Sequence, residues 1–426
     1  MAAPDPAKEA TTNFLRGQFH RYYDGSRPTL PDRFGRREFG FMFWTPGIMQ
    51  RHLGFTKQDE LRSFLASRVP THAYYSSAYY ENPGAPTMEE KGWLGADLIF
   101  DLDADHLPNA AKMSYAEMLE AIRVKILHLY DDFLRADFGF EEKAMRIVFS
   151  GGRGYHVHVF DERVWPLGSH ERREIVDWIT GKGLDVDSVF RESAFDKKEF
   201  QGHTRVKKRV VAPTQDEPGW RGKIMRAIQS LAAKLEALPP DEAIKFLTSF
   251  EGVRESEAAD LYENLFKPRA TKPRPIRGVD RLREGQIEAL SDRSRDLLIR
   301  IVKDLQPVRI DERAGVSLEG IVQRAETDEP VTSDIKRLIR MPSSLHGKTG
   351  LQVVPLTRDE VDAFRPLRDA VPKAWTDERI RMNLKNKINL EIRGEAFNLA
   401  PGVNDVPQYL AIFLAARGLA TVVPEA

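Results

Sequence analysis

The stretch Lys91 to Pro108, KGWLGADLIFDLDADHLP, constrains the fold more than any other part of the chain, because it drives an apolar run into a cluster of carboxylates. Such a run predicts a strand that ends at a site. Strand geometry sends residues 97, 99, 101 and 103 to one face, so Asp101 and Asp103 project together. Two like charges that close repel, and the pair costs energy unless a cation neutralises it or one carboxylate takes a proton. A hydrophobic strand that delivers Asp-x-Asp is a recurrent way to hold a hard divalent cation, and oxygen-only ligation points to Mg²⁺ or Mn²⁺. The plainer alternative is a strand end whose acids face water.

Composition narrows the rest. A chain of 426 residues with 41% hydrophobic and 30% charged residues can bury a substantial core, and its length suggests two or three domains. Lys+Arg and Asp+Glu both number 64, so any site for a polyanion must be local rather than a property of the whole surface. With no cysteine, disulfides, thiolate nucleophiles, iron–sulfur clusters and cysteine zinc knuckles are excluded. The acidic start MAAPDPAKEA lacks an apolar leader core, and no stretch approaches the roughly 20 apolar residues needed to span a bilayer. A cytoplasmic protein with no membrane association is expected.

Along the chain, residues 12–24 and 114–137 have helical spacing, while Arg37–Trp44, Ala73–Tyr80, Arg146–Phe149 and Tyr155–Phe160 read as strands. Residues 1–167 are expected to form the first part of a catalytic core. Residues 168–300 read as a mainly helical insertion. Its basic linker, 267–283, holds seven Lys/Arg against one Asp and includes three prolines, as a solvated linker or a mobile arm beside a nucleic-acid path would. Residues 301–426 return to the core, with strand and helix signals at 308–313 and 333–340, and finish in a C-terminal tail.

Three further clusters carry chemistry. In Ser150-Gly-Gly-Arg153-Gly-Tyr-His156-Val-His158, the glycines let backbone N–H groups turn toward an anion and Arg153 adds a fork of donors suited to phosphate. His156 and His158 share a strand face, and a transition-metal pair is the rival reading there. In Asp328-Glu-Pro-Val-Thr-Ser-Asp334-Ile-Lys-Arg-Leu-Ile-Arg340, the spacing of Ile335, Leu338 and Ile339 predicts a helix. After it, Arg340, His346 and Lys348 lie along a turn-rich segment that could wrap a polyphosphate. Finally, Glu38 and Arg51 could face each other across a hairpin, and the plainer alternative for them is an ordinary surface ion pair.

Four of these blocks together, REFGF with MQRH, GADLIFDLDADHLP, SGGRGYHVHV and DEPVTSDIKRLIRMPSSLHGKTGL, resemble the catalytic small subunit of archaeal and eukaryotic DNA primase. The resemblance implies an α/β (α+β) primase-type core with a mixed sheet and an inserted helical subdomain. It implies divalent-metal-dependent, DNA-templated synthesis of short primers from nucleoside triphosphates. Carried over residue by residue, it makes Asp101, Asp103 and Asp328 the metal ligands, with Asp334 the competitor for the third place. It places Ser150, Arg153, His156, Arg340, His346 and Lys348 on the triphosphate of the incoming nucleotide, and Glu38 and Arg51 near the initiating nucleotide. The implied partners are a large primase subunit and single-stranded DNA. Many members carry a zinc knuckle between the Asp-x-Asp strand and the glycine loop, but here residues 106–149 contain only His106 and His128, so no structural zinc is expected. The rivals are an end-joining polymerase of the same superfamily, a phosphatase built on Asp-Leu-Asp, and a non-catalytic nucleic-acid-binding subunit. The phosphatase motif needs Gly-Thr where this chain has Ala104-Asp105.

Overall fold

The sequence around the acidic strand folds into two small sheets. Their strands are β1 (Phe39–Met42), β2 (Met49–Leu53), β3 (His72–Ser76), β4 (Leu98–Asp103), β5 (Met145–Phe149), β6 (Gly154–Val159), β7 (Leu338–Arg340) and β8 (Val354–Leu356). One sheet has the order β7-β3-β1-β2 and the other β8-β5-β6-β4. The computed structural model describes residues 6–424 apart from 46, 108–109, 201–202, 271–274, 306–311, 314–315 and 319–320.

The α+β class is as expected, but the sheets are not mixed: every pairing within these two is antiparallel. For two of the six pairings the reason is local: the loop SGGR between β5 and β6 and the short link between β1 and β2 are hairpin connections, whereas parallel neighbours need a crossover of a dozen residues or more. A second correction concerns Ile335, Leu338 and Ile339. The short helix here is Glu329–Ser333, with Pro330 in its first turn, and Leu338–Arg340 is extended against β3 with Leu338 opposite Ser76 and Arg340 opposite Tyr74. Spacing over so few residues fits either state, and the open edge of β3 supplies the ladder bonds that decide it.

Contacts divide the chain into two units, one formed by 1–130, 140–176 and 327–426 and the other by 131–139 and 177–326. In the first, helix Pro6–Gly25 buries Leu15, Phe19, Tyr22 and Tyr23, and helix Tyr115–His128 starts from a reciprocal cap between Ser114 and Glu117. The described part of the C-terminal segment, to residue 424, is folded. Strand Arg379–Leu384 lies between Gly402–Pro407 and Ala420–Val422, and the Val422 N–H donates to Thr11 Oγ1 at 2.9 Å.

The second unit contains helices Gly219–Ala237, Pro240–Thr248, Glu255–Phe266, Gly278–Arg283 and Asp292–Leu305. It also contains a long antiparallel hairpin, Arg191–Phe200 with His203–Val211, which the helical reading of this region did not anticipate. Within the basic stretch, Arg269 and Ile276 form a bridge, and Arg277 and Arg283 both pair with Glu236 and with Asp280. Those two cations are neutralised inside the unit. Among the described residues, no helix is long and apolar enough to cross a membrane.

Candidate active site

Burial along β4 alternates at its end: Leu98, Ile99, Phe100 and Leu102 are buried, while Asp101 and Asp103 are half-buried. In the ladder Asp101 lies opposite His156 and Asp103 opposite Gly154. His156 Nε2 sits 3.3 Å from Asp101 Oδ1. Burial opposes charge on Asp101, but His156 and the nearby cations Arg337 and Arg340 outweigh it and hold the carboxyl below its usual range. Asp103 Oδ1 accepts from the Asp105 N–H at 3.1 Å. A Cβ at Gly154 would meet the Leu102 carbonyl oxygen at 2.3 Å, so the close passage of β6 past β4 requires glycine there.

Asp97 departs from the expected alternation. It precedes the strand, is fully buried, and accepts from Arg37 Nη2 at 2.6 Å and from Tyr79 Oη at 2.5 Å. Arg37 is equally buried and also donates to the Ser76 and Ser77 carbonyls. Nothing in the sequence distinguishes this aspartate from the two that follow.

The two candidates for the third carboxylate lie in different places. The Asp328 N–H donates to the Asp101 carbonyl at 3.0 Å, which sets Asp328 beside the acidic strand at the start of helix Glu329–Ser333. Asp334 is exposed, and its carboxylate accepts from the Lys336 N–H at 2.9 Å.

The loop between β5 and β6 is closed by the Ser150 N–H on the Gly154 carbonyl, and Ser150 Oγ accepts from the Gly152 N–H at 3.2 Å. Gly151 has φ +73°, and a Cβ there would meet His346 Cβ at 2.8 Å; one at Gly152 would meet His346 Nε2 at 2.9 Å. The glycines thus let His346 lie directly on the loop. Thr349 Oγ1 donates to the Gly151 carbonyl at 2.5 Å and Tyr115 Oη to that of Gly152. Burial, reinforced by the charges of Arg340, Lys348 and Arg153, pushes the His346 imidazole well below its ordinary value. Arg153 is half-exposed and paired with the exposed Asp105 at 2.6 Å, while Lys348 is exposed.

Arg340, at the end of β7, donates from Nη1 to His72 Nδ1 at 2.7 Å and lies over the Tyr74 ring. His72 was not among the expected residues; it sits outside every motif, and only the pairing of β7 with β3 brings it to the site. The rings of His156 and His158, the rival transition-metal pair, stack on one strand face with centroids 6.0 Å apart. His158 is buried with Nδ1 3.0 Å from Tyr75 Oη, and burial pushes it well below its ordinary value, whereas His156 faces Asp101.

Glu38 and Arg51 do pair, at 3.1 Å, but not on the surface. Glu38 is fully buried and also takes the His52 N–H and Lys91 Nζ, the latter at 2.7 Å. Burial opposes its charge, yet Lys91, Arg51 and the His52 N–H keep the carboxyl below its usual range. Lys91 is a second residue that sequence reading missed. Among the described residues, no three of His, Asp and Glu are grouped tightly enough to hold a metal ion unaided.

A paired carboxylate on an antiparallel sheet, set against a glycine loop and converging basic groups, is the arrangement of a nucleotidyltransferase. The family model described as DNA primase small subunit matches residues 100–358. The chain is 41% identical to the DNA primase small subunit PriS of Methanocella arvoryzae, over 98% of this chain and 100% of that protein. It is 40% identical to the PriS of Methanothrix thermoacetophila, over 97% and 99%, and 38% identical to that of Halobacterium salinarum, over 98% and 100%. The chain belongs to the DNA primase small-subunit family. It is the catalytic primase subunit of DNA replication, a nucleotidyltransferase of the DNA-directed RNA polymerase type, and catalysis in this family is metal-dependent.

Proposed function

We propose that Asp101, Asp103 and Asp328 hold the divalent cations of primer synthesis, and that Ser150, Arg153, His156, Arg340, His346 and Lys348 receive the triphosphate of the incoming nucleotide. The observation that carries this reading is the backbone bond from Asp328 to Asp101, which gathers a third acid, distant in sequence, beside the Asp-x-Asp pair. The donors are all carboxylate oxygens, a set that fits Mg²⁺ or Mn²⁺. When bound, such ions lower the pKa of an attacking hydroxyl and stabilise the leaving oxygen.

The reaction joins a ribose 3′-oxygen to the α-phosphorus of a nucleoside triphosphate and breaks its bond to pyrophosphate; the hydroxyl proton goes to solvent. The chain's own residues bind and orient. The loop at 150–153 and His346 form one wall for the phosphates, and Arg340 is near enough to His346 and to the acids for their charges to act on one another. Arg153 exchanges Asp105 for a phosphate oxygen, a swap that costs little because an exposed pair is weak. Glu38 accepts three hydrogen bonds, from Arg51 Nε and Nη2 and the His52 N–H, and pairs with the Lys91 ammonium, so its carboxylate is already engaged within the fold. It positions Arg51, the half-exposed member, toward the initiating nucleotide.

The names of the relatives, each a small subunit, support assembly with a large primase subunit and a single-stranded DNA template. The test is incubation of the purified chain with single-stranded DNA, nucleotides and Mg²⁺ or Mn²⁺, with and without an annealed primer. Short products that depend on template and cation are expected; cation-independent products, or none with either metal and primer, would overturn the reading.

Two further outcomes follow. A charge-assisted phosphate contact is worth roughly 1.5–3 kcal/mol, so Arg153→Ala and His346→Ala should each raise KM for nucleotide about ten- to a hundredfold, or lower kcat if the contact tightens only in the transition state. Weakened template binding with unchanged kcat and KM would move both residues to the DNA path. Because residues 106–149 hold no cysteine, elemental analysis of dialysed protein should find no stoichiometric zinc. One tightly held zinc per chain would redirect attention to His156 and His158.

A further inference from the structure

We propose that His72 is a positioning residue that holds Arg340 in place without neutralising its charge. The inference rests on the reading of Arg340 as a triphosphate contact and deepens it.

A guanidinium can only donate, so the Arg340 Nη1 contact with His72 Nδ1 at 2.7 Å fixes that nitrogen as an acceptor. The Gly347 N–H points at the same nitrogen, at 3.3 Å. With Nδ1 accepting from both, the imidazole is neutral and carries its proton on Nε2. Its surroundings agree: burial and the charges on Arg340 and Lys348 push its pKa down to about 3.

The other buried or partnered arginines of this unit are held differently. Arg37 is locked to the Asp97 carboxylate, Arg153 pairs with Asp105, and Arg172 is held by the carbonyls of Ala96, Asp97 and Leu167. Among the described residues, Arg340 has no carboxylate within ion-pair distance, although Asp101 and Asp103 are near enough to act on its charge. A carboxylate in the place of His72 would fix the guanidinium equally well and cancel the charge meant for the phosphates. A neutral imidazole fixes it and leaves the charge available.

The same ring serves the opposite wall. His72 packs edge to face on His346 with ring centroids 4.9 Å apart, and a Cβ on Gly347 would meet His72 Nε2 at 3.0 Å. One side chain of β3 thereby sets both the cation and the imidazole that face the phosphates.

The test compares two substitutions of nearly identical shape. In His72→Asn the amide oxygen can take the place of Nδ1 as a neutral acceptor, whereas His72→Asp offers the same oxygen with a negative charge. Steady-state extension of an annealed primer by the full chain is measured for both, together with inhibition by inorganic tripolyphosphate. His72→Asn, which keeps a neutral acceptor for Arg340 but gives up the ring that packs on His346, is expected to raise KM and the inhibition constant at least about threefold less than His72→Asp does. His72→Asp is expected to raise both KM for nucleotide and the tripolyphosphate inhibition constant by about tenfold or more. A merely structural role would move the two variants together, and that result would overturn the proposal. Arg340→Gln keeps the outcomes separable. If it leaves KM and the inhibition constant unchanged, the reading of Arg340 itself fails; if it raises them while His72→Asp does not, only the proposal about His72 fails.

Discussion

Replacing Asp101 or Asp103 by Asn is expected to lower primer extension by on the order of 10³-fold while leaving the fold intact. The two changes act on the charge alone. An Asn at 101 still offers an oxygen to His156, and one at 103 still caps the Asp105 N–H, so the local hydrogen bonds survive. At 103, removing one of two neighbouring acids relieves repulsion, whereas at 101 it gives up a charge that His156, Arg337 and Arg340 stabilise. The thermal midpoint should therefore hold or rise for Asp103→Asn and fall by no more than a few degrees for Asp101→Asn. Extension assays over a range of Mg²⁺ and Mn²⁺ concentrations, with melts followed by circular dichroism, check both halves. Near-normal extension by either variant would remove that residue from the cation site, and a large fall in midpoint would show that the loss of activity is a loss of fold.

Arg37→Ala is expected to have the opposite profile, a large loss of stability. Arg37 and Asp97 are both 0% exposed, and the guanidinium donates to Asp97, to the Ser76 and Ser77 carbonyls and to the Asp32 carbonyl. Burial pushes the Asp97 carboxyl up, and Arg37 and Tyr79 pull it back. Without Arg37 that carboxylate is stranded beneath the strand that delivers Asp101, a situation that costs about 3–5 kcal/mol when a buried pair is broken from one side. Asp97→Asn should be similarly costly because it leaves the guanidinium unpaired. Combining Arg37→Ala with Asp97→Asn should cost less than the sum of the separate losses. Denaturant unfolding of the three variants measures this. Strict additivity would mean that the pair is not the coupled unit its geometry describes.

The catalytic strand was legible because its signal is local. An apolar run ending in Asp-Leu-Asp specifies both burial and facing within seven residues, and Asp101 and Asp103 lie as that alternation requires. The glycine loop was legible for the same reason: the turn at Gly151 and the close passage at Gly154 are backbone demands that only glycine meets cheaply. What the sequence did not disclose depends on pairing between distant segments. His72 acquires a role only through the β7–β3 ladder, and Lys91 only because Glu38 is buried next to it. Leu338–Arg340 reads equally well as helix or strand until the edge of β3 is known. The hairpin Arg191–Phe200 with His203–Val211 sits in a charged region whose neighbours are helical, and no alternation of apolar residues singled it out.

The central claim is that three carboxylates, Asp101, Asp103 and Asp328, form the cation site. The most direct measurement is a Mn²⁺ titration followed by electron paramagnetic resonance on the full-length protein, with a non-hydrolysable nucleoside triphosphate present, comparing the parent with Asp328→Asn and Asp334→Asn. Affinity in such sites follows the number of ligand charges. Asp328→Asn should weaken Mn²⁺ binding about tenfold or more and abolish extension at every metal concentration. Asp334→Asn, which alters an exposed carboxylate that accepts from the Lys336 N–H, should match the parent. Parent-like Mn²⁺ binding by Asp328→Asn, with the loss appearing in Asp334→Asn instead, would contradict the account and transfer the third place to Asp334.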